Sequence, residues 1–251
     1  MTEEKPIALI TGATSGIGEA TARLLAGDYR LIICGRRIER LQKLQNELSG
    51  SSTLLSFNVR NKEEVFAAIN SLPKEWKNIE VLVNNAGNAH GLDFIHEGSV
   101  DDWDAMMDIN VKGLLYVTKA ILPEMVERKK GHIINISSIA GLEVYPKGNV
   151  YCASKHAVDA LTKGMRMDLN EHRIKVTSID PGLVQTEFSE VRFKGDTEKA
   201  SNVYKNYTPL SAQDVAETIE FVLSRPPHVM IGDILILPTD QASSTIVNKK
   251  A

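Results

Sequence analysis

A short apolar run, Ile7-Ala8-Leu9-Ile10, breaks into Thr11-Gly12-Ala13-Thr14-Ser15-Gly16-Ile17-Gly18, and a stretch of small and helix-forming residues follows over 19–26. An unbroken apolar run of this length suits a strand buried on both faces, as in a parallel sheet. Glycines at a strand-to-helix turn let the main chain approach a ligand, and the start of a helix offers unpaired N–H groups to an anion. Strand, turn and helix together predict the opening of a dinucleotide-binding unit, with Gly12, Thr14, Ser15, Gly16, Ile17 and Gly18 against the pyrophosphate. The spacing is Gly-x-x-x-Gly-x-Gly, not the commoner Gly-x-Gly-x-x-Gly.

The same alternation continues. Apolar runs at 31–34, 53–57, 79–83, 132–136, 174–179 and 231–237 read as further strands. Helical spacing is seen over 38–48, through Leu41, Leu44 and Leu48, and over 62–71, where Asn61 can cap. A long helix is expected over 101–128, which Pro123 should kink or divide. Asn110 sits inside it as a mediocre helix former, and such local conflicts tend to mark sites. Another helix is expected over 150–170, and a last one opens at Ser211 with Asp214 in a capping-box arrangement. Seven strands alternating with helices predict an α/β fold: a Rossmann-like doubly wound, seven-stranded, mostly parallel sheet with helices on both faces.

One domain over 1–251 is expected. Residues 186–208 are polar and lack a strong period, so 185–210 is read as a substrate lid, and 241–251 as a polar C-terminal arm. The net charge of −3 gives no basic balance for nucleic acid, and no run approaches the ~18 apolar residues of a membrane span. The polar, acidic start is not a signal peptide. Two cysteines, Cys34 and Cys152, make no disulfide scaffold and fit a reducing compartment, so a cytoplasmic home is expected. The histidines show no metal spacing; His156 reads as structural and Cys152 as a packed small residue.

Apart from Asn110, every glycine, asparagine and serine feature singled out falls just after a strand, at the edge where ligands bind in such sheets. Gly35-Arg36-Arg37 follows the second strand. An acid there would hold the ribose hydroxyls of NAD; two guanidiniums instead match a phosphate, so NADP is predicted. Asn58-Val59 follows the third strand and Asn84-Asn85-Ala86-Gly87 the fourth, where the asparagines serve either the turn or a ligand. Ser137 and Ser138 follow the fifth, and Asp180-Pro181-Gly182 the sixth. Tyr151 and Lys155 share one face of the helix over 150–170. The ammonium should favour the phenolate, lowering the Tyr151 pKa from ~10 and making it a proton donor and acceptor near neutrality. Ser138 can offer a second hydroxyl to the same reacting oxygen.

Together these residues resemble the short-chain dehydrogenase/reductase family in its shorter form, over essentially the whole chain. Thr11-Gly12-x-x-x-Gly16-Ile17-Gly18 is similar to the family's cofactor turn, and Asn84-Asn85-Ala86-Gly87 to its second motif. Asn110, Ser138, Tyr151 and Lys155 stand where the family places its catalytic four. Pro181 and Gly182, with Val184 and Thr186, resemble the strip beside the nicotinamide. The resemblance implies that Lys155 bonds the nicotinamide ribose and that Asn110 holds a water linking Lys155 to solvent. Asn58 departs from the usual Asp of the adenine site but can still accept that bond.

Gly148-Asn149-Val150-Tyr151, and the run from Pro181 through Glu187-Phe188-Ser189 to Val191-Arg192-Phe193-Lys194-Gly195-Asp196, narrow the resemblance to the NADP-dependent 3-hydroxy acid, serine and allo-threonine dehydrogenases. A small hydroxy acid substrate is then expected, with Arg192 the first candidate for its carboxylate, Lys194 the second, and Lys147 a third. The competing readings are a reductase of 3-oxoacyl thioesters or sugars, and an NADP-binding sensor without turnover. Relatives imply a homotetramer built through the helices over 104–128 and 150–170, with the last strand and tail forming a second interface.

Overall fold

The computed structural model describes residues 5–250, so Ala251, the last residue of the expected arm, lies outside the described residues. In chain order the elements are β1 (Ile7–Thr11), α1 (Gly16–Leu25), β2 (Arg30–Gly35), α2 (Ile38–Glu47), β3 (Ser52–Ser56), α3 (Lys62–Asn70) and β4 (Ile79–Asn84). Then come α4 (Val100–Met107), a π-helical turn (Asp108–Gly113), α5 (Leu114–Arg128), β5 (Gly131–Ile136), α6 (Asn149–Asp168) and β6 (Ile174–Pro181). The chain closes with β7 (Val184–Gln185), α7 (Phe188–Arg192), α8 (Thr197–Val203), β8 (Leu210–Ser211), α9 (Ala212–Leu223) and β9 (Asp233–Ile236).

The seven-stranded sheet has the order β3-β2-β1-β4-β5-β6-β9, and every pairing in it is parallel. The order reverses between β1 and β4, which opens a crevice at their carboxyl ends. Alternate residues feed two apolar layers, as the period of a strand requires. Ala8, Ile10, Ile33 and Ile134 join Ala22, Leu25, Val215 and Ile219 on one face, beneath α1 and α9. Leu9, Ile32, Ile133 and Val176 join Val65, Val117, Ile121 and Met125 on the other, beneath α3 and α5.

The expected caps form. The Asn61 side chain accepts from Glu64 N, and Ser211 and Asp214 make a reciprocal capping box. Three expectations are corrected. The long helix is interrupted by the π-helical turn around Asn110, while α5 runs through Pro123. A π turn shifts the hydrogen-bond register, and such turns occur frequently at functional sites. The 186–208 stretch is not irregular, since it carries α7 and α8. The tail is not a free arm: Gln241 is buried, pairs with Val247, and accepts from Leu183 N through its side chain. Among the described residues, no helix is long and apolar enough to cross a membrane.

One buried group makes the core pH-sensitive. His132 is 5% exposed, with Nε2 2.8 Å from Thr177 Oγ1. That hydroxyl gives its own proton to the Ile231 carbonyl, so Nε2 carries the hydrogen and Thr177 accepts it. Burial, with Lys175 adding, lowers the His132 pKa to about 3. The unfolded chain takes up this proton below pH ~6.5 and the native protein does not, so stability falls with falling pH by about 1.4 kcal/mol per unit. Urea denaturation should show a loss of about 2 kcal/mol from this one proton between pH 6.5 and 5. His132→Asn should flatten the slope by one proton, and an unchanged slope would contradict the assignment.

Candidate active site

The turn after β1 is held by side chains rather than by sheet. Thr11 Oγ1 accepts from Asn85 N and Ala86 N, each at 3.0 Å. Asn85 Nδ2 donates back to Thr11 O at 2.9 Å. Gly12 and Gly16 have φ of +67° and +55°, in the left-handed region that favours glycine. A Cβ at Gly18 would lie 2.5 Å from both Gly12 O and Asn85 Nδ2, so α1 starts flush against the turn. Ser15 makes no side-chain cap to α1, which leaves the first-turn N–H groups facing the cleft.

Beside this turn the two arginines diverge. Arg37 Nη2 donates to Thr14 Oγ1 at 2.8 Å and Ser15 Oγ at 2.9 Å, and Nη1 meets Glu187 Oε2 at 3.0 Å. Arg36 is exposed, lines the cleft, and has no side-chain hydrogen bond or ion pair among the described residues. Asn58 Oδ1 accepts from Arg60 N at 3.2 Å and keeps a second lone pair. The donor set therefore fits a dinucleotide carrying an extra phosphate: a glycine-lined cradle, free helix-start N–H groups, and an unengaged guanidinium where an acid would otherwise stand.

The pair expected to carry acid–base chemistry lies deeper. Tyr151 is 8% and Lys155 6% exposed, both on α6. Tyr151 packs with Ala89, Met106, Ala140 and Cys152. Burial pushes its phenol above the ordinary value and Tyr145 adds to this; Ser138 and Arg192 oppose without reversing it. The expected lowering by Lys155 is thus corrected. The ammonium is turned to the Ile136 carbonyl, 2.9 Å away, and desolvation of the phenolate outweighs the favourable contacts. Burial lowers Lys155 itself to about 8, against the pull of Asp180. Ser138 Oγ accepts from Ala140 N at 3.1 Å and lies 3.4 Å from the Pro181 carbonyl.

Asn110 sits behind this group. It exchanges bonds with the Asn88 main chain, at 2.9 and 2.8 Å, and donates to Ser154 Oγ at 3.0 Å. A Cβ at Gly87 would stand 3.2 Å from Asn110 Oδ1 and 3.5 Å from Lys155 Nζ, so the three meet there. Asn84 belongs to the core, bonded to Thr118 and Asn135.

On the substrate side, the Arg192 guanidinium lies 5.6 Å from the ring centres of both Tyr145 and Tyr151. Its Nε donates to Gly91 O at 3.1 Å, and its Nη2 is buried without a partner. The other candidate cations are directed elsewhere. Lys194 pairs with Asp102 at 2.9 Å, and Lys147 sits over the Phe94 ring at 4.5 Å. Both are outside the cleft lining.

A cleft of about 500 Å³ brings these features together. Of the residues singled out as cofactor, catalytic or substrate groups, all line it except Gly18 and Asn110, which support its wall, and the two lysines Lys147 and Lys194. Sequence reasoning missed Tyr145 and Gln241, and placed Glu187 and Phe188 in the lid without a role of their own; all four line the cleft. Tyr145 offered a signal, an aromatic residue in the loop leading to Tyr151. Gln241 offered none, because only the folding-back of the tail brings it there.

The short chain dehydrogenase family profile matches residues 6–197. An NADP-dependent 3-hydroxy acid dehydrogenase of Salmonella typhi is 48% identical over 238 residues, covering 94% of this chain and 96% of that protein. One of the same description from Schizosaccharomyces pombe is 42% identical, covering 96% of each. Among solved structures, the closed form of a serine dehydrogenase complexed with NADP+ superposes with a TM-score of 0.93 at 45% identity, covering 98% of this chain and 100% of that one.

The tight seat of Gly18 gives a direct test. Gly18→Ala places a methyl group against the Gly12 carbonyl, so urea denaturation should show a loss of about 1–3 kcal/mol. Wild-type stability in that variant would contradict the packing described.

Proposed function

The chain belongs to the short-chain dehydrogenase family, and from that premise we propose which of its residues carry the reaction. The protein is an NADP-dependent oxidoreductase acting on an alcohol carbon, and its substrates are small 3-hydroxy acids. When bound in this cleft, NADP would supply the hydride chemistry. Tyr151 takes the hydroxyl proton in oxidation and returns it in reduction. A phenol pushed up by burial is protonated at rest, which suits the reducing direction. Lys155, on the same helix face, would bond the nicotinamide ribose. Ser138 holds the substrate oxygen, and Asn110 keeps the Gly87 wall beside Lys155 in place and carries a water to it. Arg36, with Arg37, reads the extra phosphate of NADP.

The observation that carries the hydroxy acid reading is Arg192. A guanidinium N–H buried beside the Tyr151 ring without a partner is costly. A substrate carboxylate would satisfy it with a charge-assisted bond. A thioester or sugar would not use that cation. In the same reading the chain is one domain over 1–251, with 185–210 a lid, and works in the cytoplasm as a homotetramer. Leu115 on α5, Met167 on α6 and Leu235 on β9 are 36%, 74% and 48% exposed, which supports faces of that kind; light scattering should return four copies.

Tyr151→Phe should lower kcat by about 10²–10⁴-fold while fluorescence titration shows NADP binding retained. Near-normal turnover would refute the assignment. Arg192→Ala should raise KM for L-serine and 3-hydroxypropionate about tenfold to hundredfold, the size of a lost hydrogen bond to a charged group. An unchanged KM would refute the carboxylate role.

A further inference from the structure

The segment from Thr186 to Lys194 crosses the mouth of the cleft, and its ends are tied to opposite walls. At one end, Glu187 gives Oε2 to Arg37 Nη1 at 3.0 Å and Oε1 to Arg40 Nη1 at 2.7 Å. Arg37 also holds Thr14 and Ser15, so Glu187 is fastened through one side chain to the turn after β1. Thr186 lies against that turn as well, with its side chain 3.2 Å from where a Gly16 Cβ would stand. At the other end, Arg192 and Gly91 exchange bonds, Nε to O at 3.1 Å and Gly91 N to Arg192 O at 3.0 Å. The span between them is α7. Its Phe188 meets the Tyr151 ring edge-on at 5.7 Å, and its Ser189 bonds Tyr204 at 2.6 Å.

We propose that Glu187 is a positioning residue: it holds α7 across the cleft so that Arg192 stands over Tyr151, which makes recognition of the substrate carboxylate depend on the arginines at the cofactor end. The proposal rests on the carboxylate role of Arg192 given above. A helix of five residues has little stability of its own. Its orientation therefore comes from what grips its ends. Both Glu187 oxygens are used, and Glu187 is the one partner of the Arg40 side chain among the described residues. The three side chains are 39–47% exposed, so the grip is modest in energy and screened by salt. It differs in kind from the cofactor contacts, because Arg40 does not line the cleft at all.

The test compares Glu187→Gln, Arg40→Ala, Arg192→Ala and the Glu187→Gln/Arg192→Ala double variant, using 3-hydroxypropionate and its methyl ester, which keeps the reacting hydroxyl and lacks the charge. Glu187→Gln and Arg40→Ala should raise KM for the acid about three- to fivefold while KM for the ester and both kcat values stay within about twofold. The double variant should behave as Arg192→Ala alone, since the grip acts through that residue. In the cofactor-free protein, amide exchange over 188–192 should accelerate by a similar factor in Glu187→Gln. Equal effects on acid and ester, additive effects in the double variant, or unchanged exchange would each overturn the proposal. Should Arg192→Ala itself leave KM for the acid unchanged, the carboxylate assignment falls, and the proposal with it.

Discussion

The inner end of the cleft is built around an ammonium group taken out of water. Lys155 reaches from α6 to the Ile136 carbonyl at the end of β5, and hardly any of it is exposed. Desolvation weakens its hold on the proton, and the charge of Asp180 restores part of it. Asp180 is itself buried, and burial raises its own pKa to about 6. Lys155 lines the cleft, while Asp180 stays behind it, accepting from Ser178 Oγ at 2.7 Å, so each of two opposite charges has its affinity for a proton displaced by burial. Holding them there takes rigid surroundings, because a buried charge that can move finds water.

The rigidity comes from polar side chains that join strands rather than from apolar packing alone. Asn84 donates to Thr118 and to Asn135, and Asn135 donates onward to Thr162. This chain stitches β4 and β5 to α5 and α6 through the middle of the core. Thr11 and Asn85 make the corresponding stitch between β1 and β4 one layer nearer the cleft. Such buried networks are favourable where their groups are paired, as all the donors named here are, while Asn84 Oδ1 is left without a partner. They define one arrangement of the strand ends, and with it the distance between the glycine turn and the acid–base pair.

Much of this was legible beforehand, and the reasons differ by element. The strands announced themselves because a sheet covered on both faces needs unbroken apolar runs, and the caps at Asn61 and Ser211 because their chemistry is local. Asn110 apart, the glycine, asparagine and serine candidates stood out because they follow strands, and Tyr151 and Lys155 because their spacing puts them on one face of α6. What escaped depends on long-range geometry. Arg36 and Arg37 look equivalent in sequence, yet only one has an acidic partner, and that acid, Glu187, comes from across the cleft. Lys194, the second candidate for a carboxylate after Arg192, sits at φ of +53° and turns toward Asp102. The shift of Tyr151 was expected downward from its spacing to Lys155. Spacing says nothing of burial, and burial dominates.

The π-helical turn at Asp108–Gly113 has a further meaning for how this segment tolerates change in length. A wider turn accommodates one residue more than the regular helix around it, and each residue advances a helix by about 100°. Deleting a single residue there would leave a smooth rod whose two halves are rotated against each other. Either α4 or α5 would then present the wrong stripe to its neighbours, and Asn110 would swing out of reach of Asn88. The bulge thus works as a phase corrector between two segments of one rod, and its length is as constrained as the identity of any side chain within it.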